Sequence, residues 1–186
     1  MCNRMNKYFL IGIPNCGKST LGQRAADILC LPFFDTDVMA CEKLGTRHVL
    51  DQIRALMNGS MEAAQQKVID ELVALDSVAI IATGAEIALM PRCAALLRKA
   101  GTVIHVIREP EIVLADMKNN GGSRWVMQDM DSGEEIVMRE RAVDLYAQEI
   151  SQYNALADVM LENNGGEDAG VDKLIALIKE QYSFLK

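Results

Sequence analysis

The segment Gly12-Ile13-Pro14-Asn15-Cys16-Gly17-Lys18-Ser19-Thr20 fits the spacing G-x-x-x-x-G-K-[ST] in full and constrains the fold more than any other stretch. Before it, residues 7–12 form an apolar run suited to a central buried strand. After it, residues 18–30 carry Leu21, Ala25, Ile28 and Leu29 at helical spacing until Pro32 stops the helix. A strand that turns through glycines into a helix aims backbone N–H groups, and the positive end of the helix dipole, at a polyphosphate. Lys18 is expected to reach the β- and γ-phosphates and Ser19 to offer an oxygen to Mg2+. Gly12, Pro14, Asn15, Cys16, Gly17 and Thr20 complete the loop, so ATP and Mg2+ are the expected cofactors. Cys16 reads as a small residue that fits the loop.

The rest of the chain keeps alternating strand and helix, the pattern of an α/β protein whose parallel sheet carries helices on both faces. Strands are expected at Phe33-Phe34, Val78–Ala82, Val103–Ile107 and Val159–Leu161. A helical region spans Val38–Leu75, broken near Gly45 and near Asn58-Gly59. Further helices are expected at Pro91–Ala100, Glu109–Lys118, Glu134–Tyr153 and Asp168–Tyr182. The stretch Asn163-Asn164-Gly165-Gly166 reads as an ordinary surface turn. At 186 residues the chain is expected to be one domain, 1–186, with room for a lid over residues 119–133.

Charge narrows the partners. A net charge of −7 argues against broad nucleic-acid binding, which needs a basic footprint. No apolar stretch approaches the length of a membrane span, and the N-terminal run Tyr8–Ile11 is too short for a signal peptide. The expected location is the cytoplasm, as a monomer or weak homodimer. Five scattered cysteines without a C-x-x-C pair read as free thiols.

Asp35 and Asp37 follow the second expected strand, at the sheet edge where open α/β folds bind ligands. One carboxylate there can serve Mg2+ while the other accepts a proton from an attacking hydroxyl. Asp37 has a competing reading as the cap of the following helix.

With FLIGIPNCGKSTLG, LPFFDTDVMACEKLG, KVIDEL and VAIIATG on the page, the chain resembles the shikimate kinase family from about Lys7 to its C-terminal helix. That resemblance implies a P-loop three-layer sandwich: a five-stranded parallel sheet with helices on both faces and a mobile lid. It also implies roles: Asp35 with Mg2+, Asp37 as substrate contact and base, Arg124 as a phosphate clamp in the lid.

The departures from the family pattern bear on the acceptor. The family's triple-glycine turn reads Gly84-Ala85-Glu86 here, and its acceptor-binding arginines fall on Glu62 and Glu149. The arginine at the start of the lid falls on Met117, beside Lys118. A glutamate repels the carboxylate that an arginine fork would hold. The acceptor is therefore expected to be a small hydroxyl compound other than shikimate, such as a polyol, sugar or amino alcohol, contacted by Asp37, Glu62, Gly84, Ala85 and Glu86. The alternatives are a true shikimate kinase with relocated arginines (Arg54, Arg92, Arg139 or Arg141), or a degenerate kinase acting as an ATP-binding regulator. A GTPase-type switch lacks a guanine-reading N-K-x-D segment. His48 and His105 show no metal or triad spacing, and His105 reads as a core residue. Trp125, the lone tryptophan, is placed in the lid.

Overall fold

The computed structural model describes residues 7–46, 51, 55, 58–119, 147 and 149–183. Its centre is strand β1 (Lys7–Ile11), buried at every position. Strands β2 (Phe33–Asp35), β3 (Ala79–Ala82), β4 (Gly101–Ile107) and β5 (Val159–Glu162) complete a sheet in the order β2-β3-β1-β4-β5. Every pairing is parallel, with Phe9 opposite Ile81 on one side and Val103 on the other. Runs such as AIIA in β3 are buried throughout because helices cover both faces.

The helices are α1 (Lys18–Leu29), α2 (Thr36–Leu44), α3 (Ser60–Ala74), α4 (Pro91–Ala100), α5 (Pro110–Asn119) and α6 (Glu167–Ser183). A 3₁₀ turn, Ala85–Leu89, follows β3. Residues 149–156 are also helical, the end of the helix expected over Glu134–Tyr153. The stripe on α1 differs from the expected one. Leu21, Gly22, Ala25 and Ala26 are buried, whereas Ile28 stands 59% exposed. Helix α1 packs on α6, and α2 on α3.

The breaks at Gly45 and Gly59 are real helix ends, both glycines in the left-handed region that closes or opens a helix without steric cost. Lys7 illustrates how the sheet and a helix end meet. Its buried Nζ donates to the Leu75 carbonyl, 2.6 Å away at the end of α3. Among the described residues, no helix is long and apolar enough to cross a membrane. Cys16, Cys30, Cys41 and Cys93 are free thiols.

Strand order places the functional edge. The connection leaving β1 runs outward to β2, and that leaving β4 runs the other way to β5. The crevice between their carboxyl ends is the position where open α/β sheets bind ligands.

Candidate active site

The glycine-rich loop leaves β1 over this crevice. Gly17 has φ +99° and Asn15 φ +61°, so the backbone curls back on itself before α1 begins. Lys18 is buried, and its Nζ donates to the carbonyls of Gly12 and Ile13, each at 2.8 Å. Cys16 is buried in the same loop, its Sγ 3.7 Å from that ammonium. Thr20 is exposed one residue beyond Ser19, while Pro14 is half-buried.

Ser19 Oγ donates to Asp35 Oδ2 at 2.6 Å, which joins the start of α1 to the end of β2. A hydroxyl and a carboxylate are hard oxygen donors, the type Mg2+ prefers, and Mg2+ ordinarily takes its remaining ligands from phosphates and water. The donor set at Ser19 and Asp35 fits that ion. Asp35 has a second task, because its Oδ1 accepts from the N–H groups of Asp37 (3.0 Å) and Val38 (3.3 Å). The cap of α2 is therefore Asp35 and not Asp37. An N-cap precedes the helix in extended geometry, and Asp35 has φ −116°, whereas Asp37 already lies in the first turn.

Relieved of capping, the Asp37 carboxylate meets buried Gln65, whose Nε2 donates to Oδ1 at 2.8 Å. Beside them, the Gly84 N–H donates to Thr36 Oγ1 at 2.8 Å. A Cβ on Gly84 would stand 2.4 Å from Asp37 Oδ1 and 2.5 Å from Gln65 Nε2. Sequence reasoning singled out Glu62 on this helix and missed Gln65. Glu62 is exposed in the first turn of α3, where Gln66 donates to it at 3.4 Å. Three residues on, Gln65 turns inward on the buried stripe with Met61, Val68 and Ile69, and a polar residue on such a stripe is the signal that was available.

Ala85 is buried and Glu86 half-buried at the start of the 3₁₀ turn. The Tyr153 hydroxyl donates to Glu149 Oε2 at 2.8 Å, and its oxygen lies 3.3 Å from the Ala85 carbonyl. Burial pushes the Glu149 carboxyl above the ordinary range; the Tyr153 hydrogen bond opposes that shift, the charge of Glu86 adds to it and the charge of Lys18 lowers it. Glu149 and Glu86 thus share one electrostatic neighbourhood with the phosphate-loop lysine. Burial and the Glu149 charge push the Tyr153 hydroxyl strongly upward, so it stays a donor. His105 is a satisfied core residue: buried, its Nδ1 donating to Asn154 Oδ1 at 2.9 Å and its ring centroid 5.2 Å from that of Tyr153. Burial lowers its basicity, consistent with a neutral ring.

Arg92 Nη2 lies 2.8 Å from both carboxylate oxygens of Asp70, in an exposed ion pair between α4 and α3. Arg54, Arg124, Trp125, Arg139, Arg141 and His48 lie outside the described residues, as does the stretch beyond Asn119 expected to form the lid. Asn163 corrects the surface-turn reading. It is 6% exposed, and its Nδ2 donates to the Cys16 carbonyl at 2.9 Å, inside the phosphate loop.

A parallel sheet in this order, with a lysine-bearing glycine loop at its switch point and paired aspartates where β2, two strands away across β3, turns into α2, defines a P-loop kinase fold of the α/β class. The family model for shikimate kinase matches residues 14–179. A shikimate kinase of Clostridium botulinum (strain Alaska E43 / Type E3) is 28% identical over 173 residues, covering 93% of this chain and 97% of that protein. One of Halorhodospira halophila (strain DSM 244 / SL1) is 28% identical over 171 residues, covering 91% of each. Among solved structures, shikimate kinase from Acinetobacter baumannii in complex with shikimate superposes with a TM-score of 0.74 at 19% identity, over 95% of this chain and 94% of that one. The chain belongs to the shikimate kinase family, whose members are ATP-dependent phosphotransferases acting on a hydroxyl group.

Proposed function

We propose that this chain transfers the γ-phosphoryl group of ATP to a hydroxyl of shikimate. The observation that carries hydroxyl phosphorylation is Asp37, a carboxylate at the carboxyl edge of the sheet, excused from capping by Asp35 and held by Gln65. A protein that only bound ATP would have no use for that arrangement, which argues against the regulatory alternative. Shikimate rests on the relatives, which carry that name over nearly the whole chain; they favour it over the expectation of a different acceptor.

The polyphosphate lies along the N–H groups of Gly12–Thr20, and Lys18 exchanges the carbonyls of Gly12 and Ile13 for phosphate oxygens. Asp37 takes the proton of the acceptor hydroxyl as its oxygen bonds to the γ-phosphorus and the bond to the ADP oxygen breaks. Ser19 and Asp35 hold Mg2+, which offsets the phosphate charge when bound. Arg124 closes over the transferring group from a lid spanning about 119–133. Gly84, Ala85 and Glu86 line the acceptor side, with Glu62 at its rim. On this reading the chain works as one domain, in the cytoplasm, as a monomer or weak homodimer, and Arg54, Arg139 or Arg141 receives the acceptor carboxylate.

One observation favours a second reading. The charges of Glu86 and Lys18 both act on Glu149, so two carboxyl groups stand together on that wall of the site, which suits a neutral or cationic acceptor. ADP release from Mg·ATP with shikimate, and with polyols, sugars and amino alcohols, separates the two, with Asp37→Asn as control. Turnover of shikimate that is lost in the control supports the first. Turnover only of an uncharged or cationic alcohol replaces it with the second, and ATP binding without stimulation by any alcohol overturns both.

A further inference from the structure

The phosphate loop is gripped from the far side of the sheet. At the end of β5, the Asn163 main-chain N–H donates to the Ile107 carbonyl at 2.7 Å, so the residue continues the β4–β5 ladder and its Cα is fixed by the sheet. Its side chain crosses to the loop, where Nδ2 donates to the Cys16 carbonyl at 2.9 Å. Arg108 Nη1, from the end of β4, donates to the preceding carbonyl, that of Asn15, at 3.3 Å. Two consecutive loop carbonyls are thus drawn toward β4 and β5.

The slot for Asn163 is built to its shape. A Cβ on Gly17 would stand 2.5 Å from Nδ2, and one on Gly170 in α6 would stand 2.5 Å from Oδ1. Two glycines therefore flank the carboxamide. Oδ1 is buried with no hydrogen-bond partner among the described residues. The amide is kept there for its donor side, since an aliphatic side chain would leave no acceptor unpaired.

We propose that Asn163 is a positioning residue for phosphate binding, which sets the direction of the Gly17 amide. A trans peptide is planar, so the Cys16 carbonyl and the Gly17 N–H point in opposite directions. Holding the carbonyl outward turns that N–H inward, to the side of the loop where a phosphate oxygen accepts it. The glycine at position 17, with φ +99°, lets the peptide take this orientation. The inference concerns the nucleotide half of the site and does not depend on which alcohol is phosphorylated.

The test separates phosphate from base. Competition with a fluorescent nucleotide gives the affinities of Mg·ATP, Mg·tripolyphosphate and adenosine for the wild type and for Asn163→Ala. Loss of one charge-assisted hydrogen bond predicts about tenfold weaker binding of ATP and tripolyphosphate. Adenosine should bind as before. Asn163→Leu keeps the branched shape of the carboxamide without its donor, so it should show the same loss for tripolyphosphate even if the alanine variant does not fold. Wild-type tripolyphosphate affinity in Asn163→Ala or Asn163→Leu, or an equal loss for adenosine, would overturn the proposal.

Discussion

Gln65 Nε2 and Asp37 Oδ1 lie 2.8 Å apart, and the room for that bond exists because residue 84 has no side chain. The amide comes from the buried face of α3 and the carboxylate from the first turn of α2, so two helices that pack together agree on one rotamer of Asp37. Gly84→Ala places a methyl within 2.5 Å of both partners and must displace one of them. Misplacing a reacting group by about 1 Å can cost roughly 10²-fold in rate. The expected result is a fall in kcat of about that size with Mg·ATP affinity retained, measured by steady-state kinetics and nucleotide titration. An unchanged kcat would mean that Asp37 does not receive the acceptor proton.

Asp35 combines two tasks that substitutions can separate. Asparagine keeps a side-chain oxygen for the N–H groups of Asp37 and Val38, but loses the charge facing Ser19. Asp35→Asn should melt near the wild type and need more Mg2+ for half-maximal turnover. Asp35→Ala loses the cap as well and should be less stable by about 1 kcal/mol. Thermal melts with a Mg2+ titration of activity check both. Equal Mg2+ requirements in wild type and Asp35→Asn would remove Asp35 from the metal site.

Glu149 makes stability depend on pH with a defined sign. Burial, aided by the charge of Glu86, raises its carboxyl above an ordinary value near 4.5, so the folded chain holds this proton more tightly than the unfolded one. Stability from this group is present below that ordinary value and is lost as pH rises through the raised folded value. Glu149→Gln removes the dependence and can still accept from Tyr153. The variant should be more stable than the wild type above the window, and the difference should shrink toward zero as pH falls below it. Urea unfolding over a pH series reads this directly. A variant less stable than wild type at neutral pH would show that the ionised carboxylate is held favourably.

Much of the fold was legible because it is written in local spacing. The run before Gly12, the helix stop at Pro32 and the breaks at Gly45 and Gly59 depend on near neighbours in the chain, and each recurs in the structure within about two residues. Ile28 failed because helical spacing identifies a stripe but not which neighbour covers its edge. The competing reading of Asp37 as the cap fell two residues late because strand β2 extends through Asp35, and strand length is settled by pairing with β3.

By itself, the sequence determined the nucleotide loop and the pair of aspartates, since both are contiguous motifs whose chemistry follows from residue type and spacing. Only the tertiary structure decided who serves them. Gln65 is 28 residues from Asp37, and Asn163 is 147 residues from Cys16. Parallel strands joined by helical crossovers bring such distant positions to one edge of the sheet, and local spacing does not say which of them meet there.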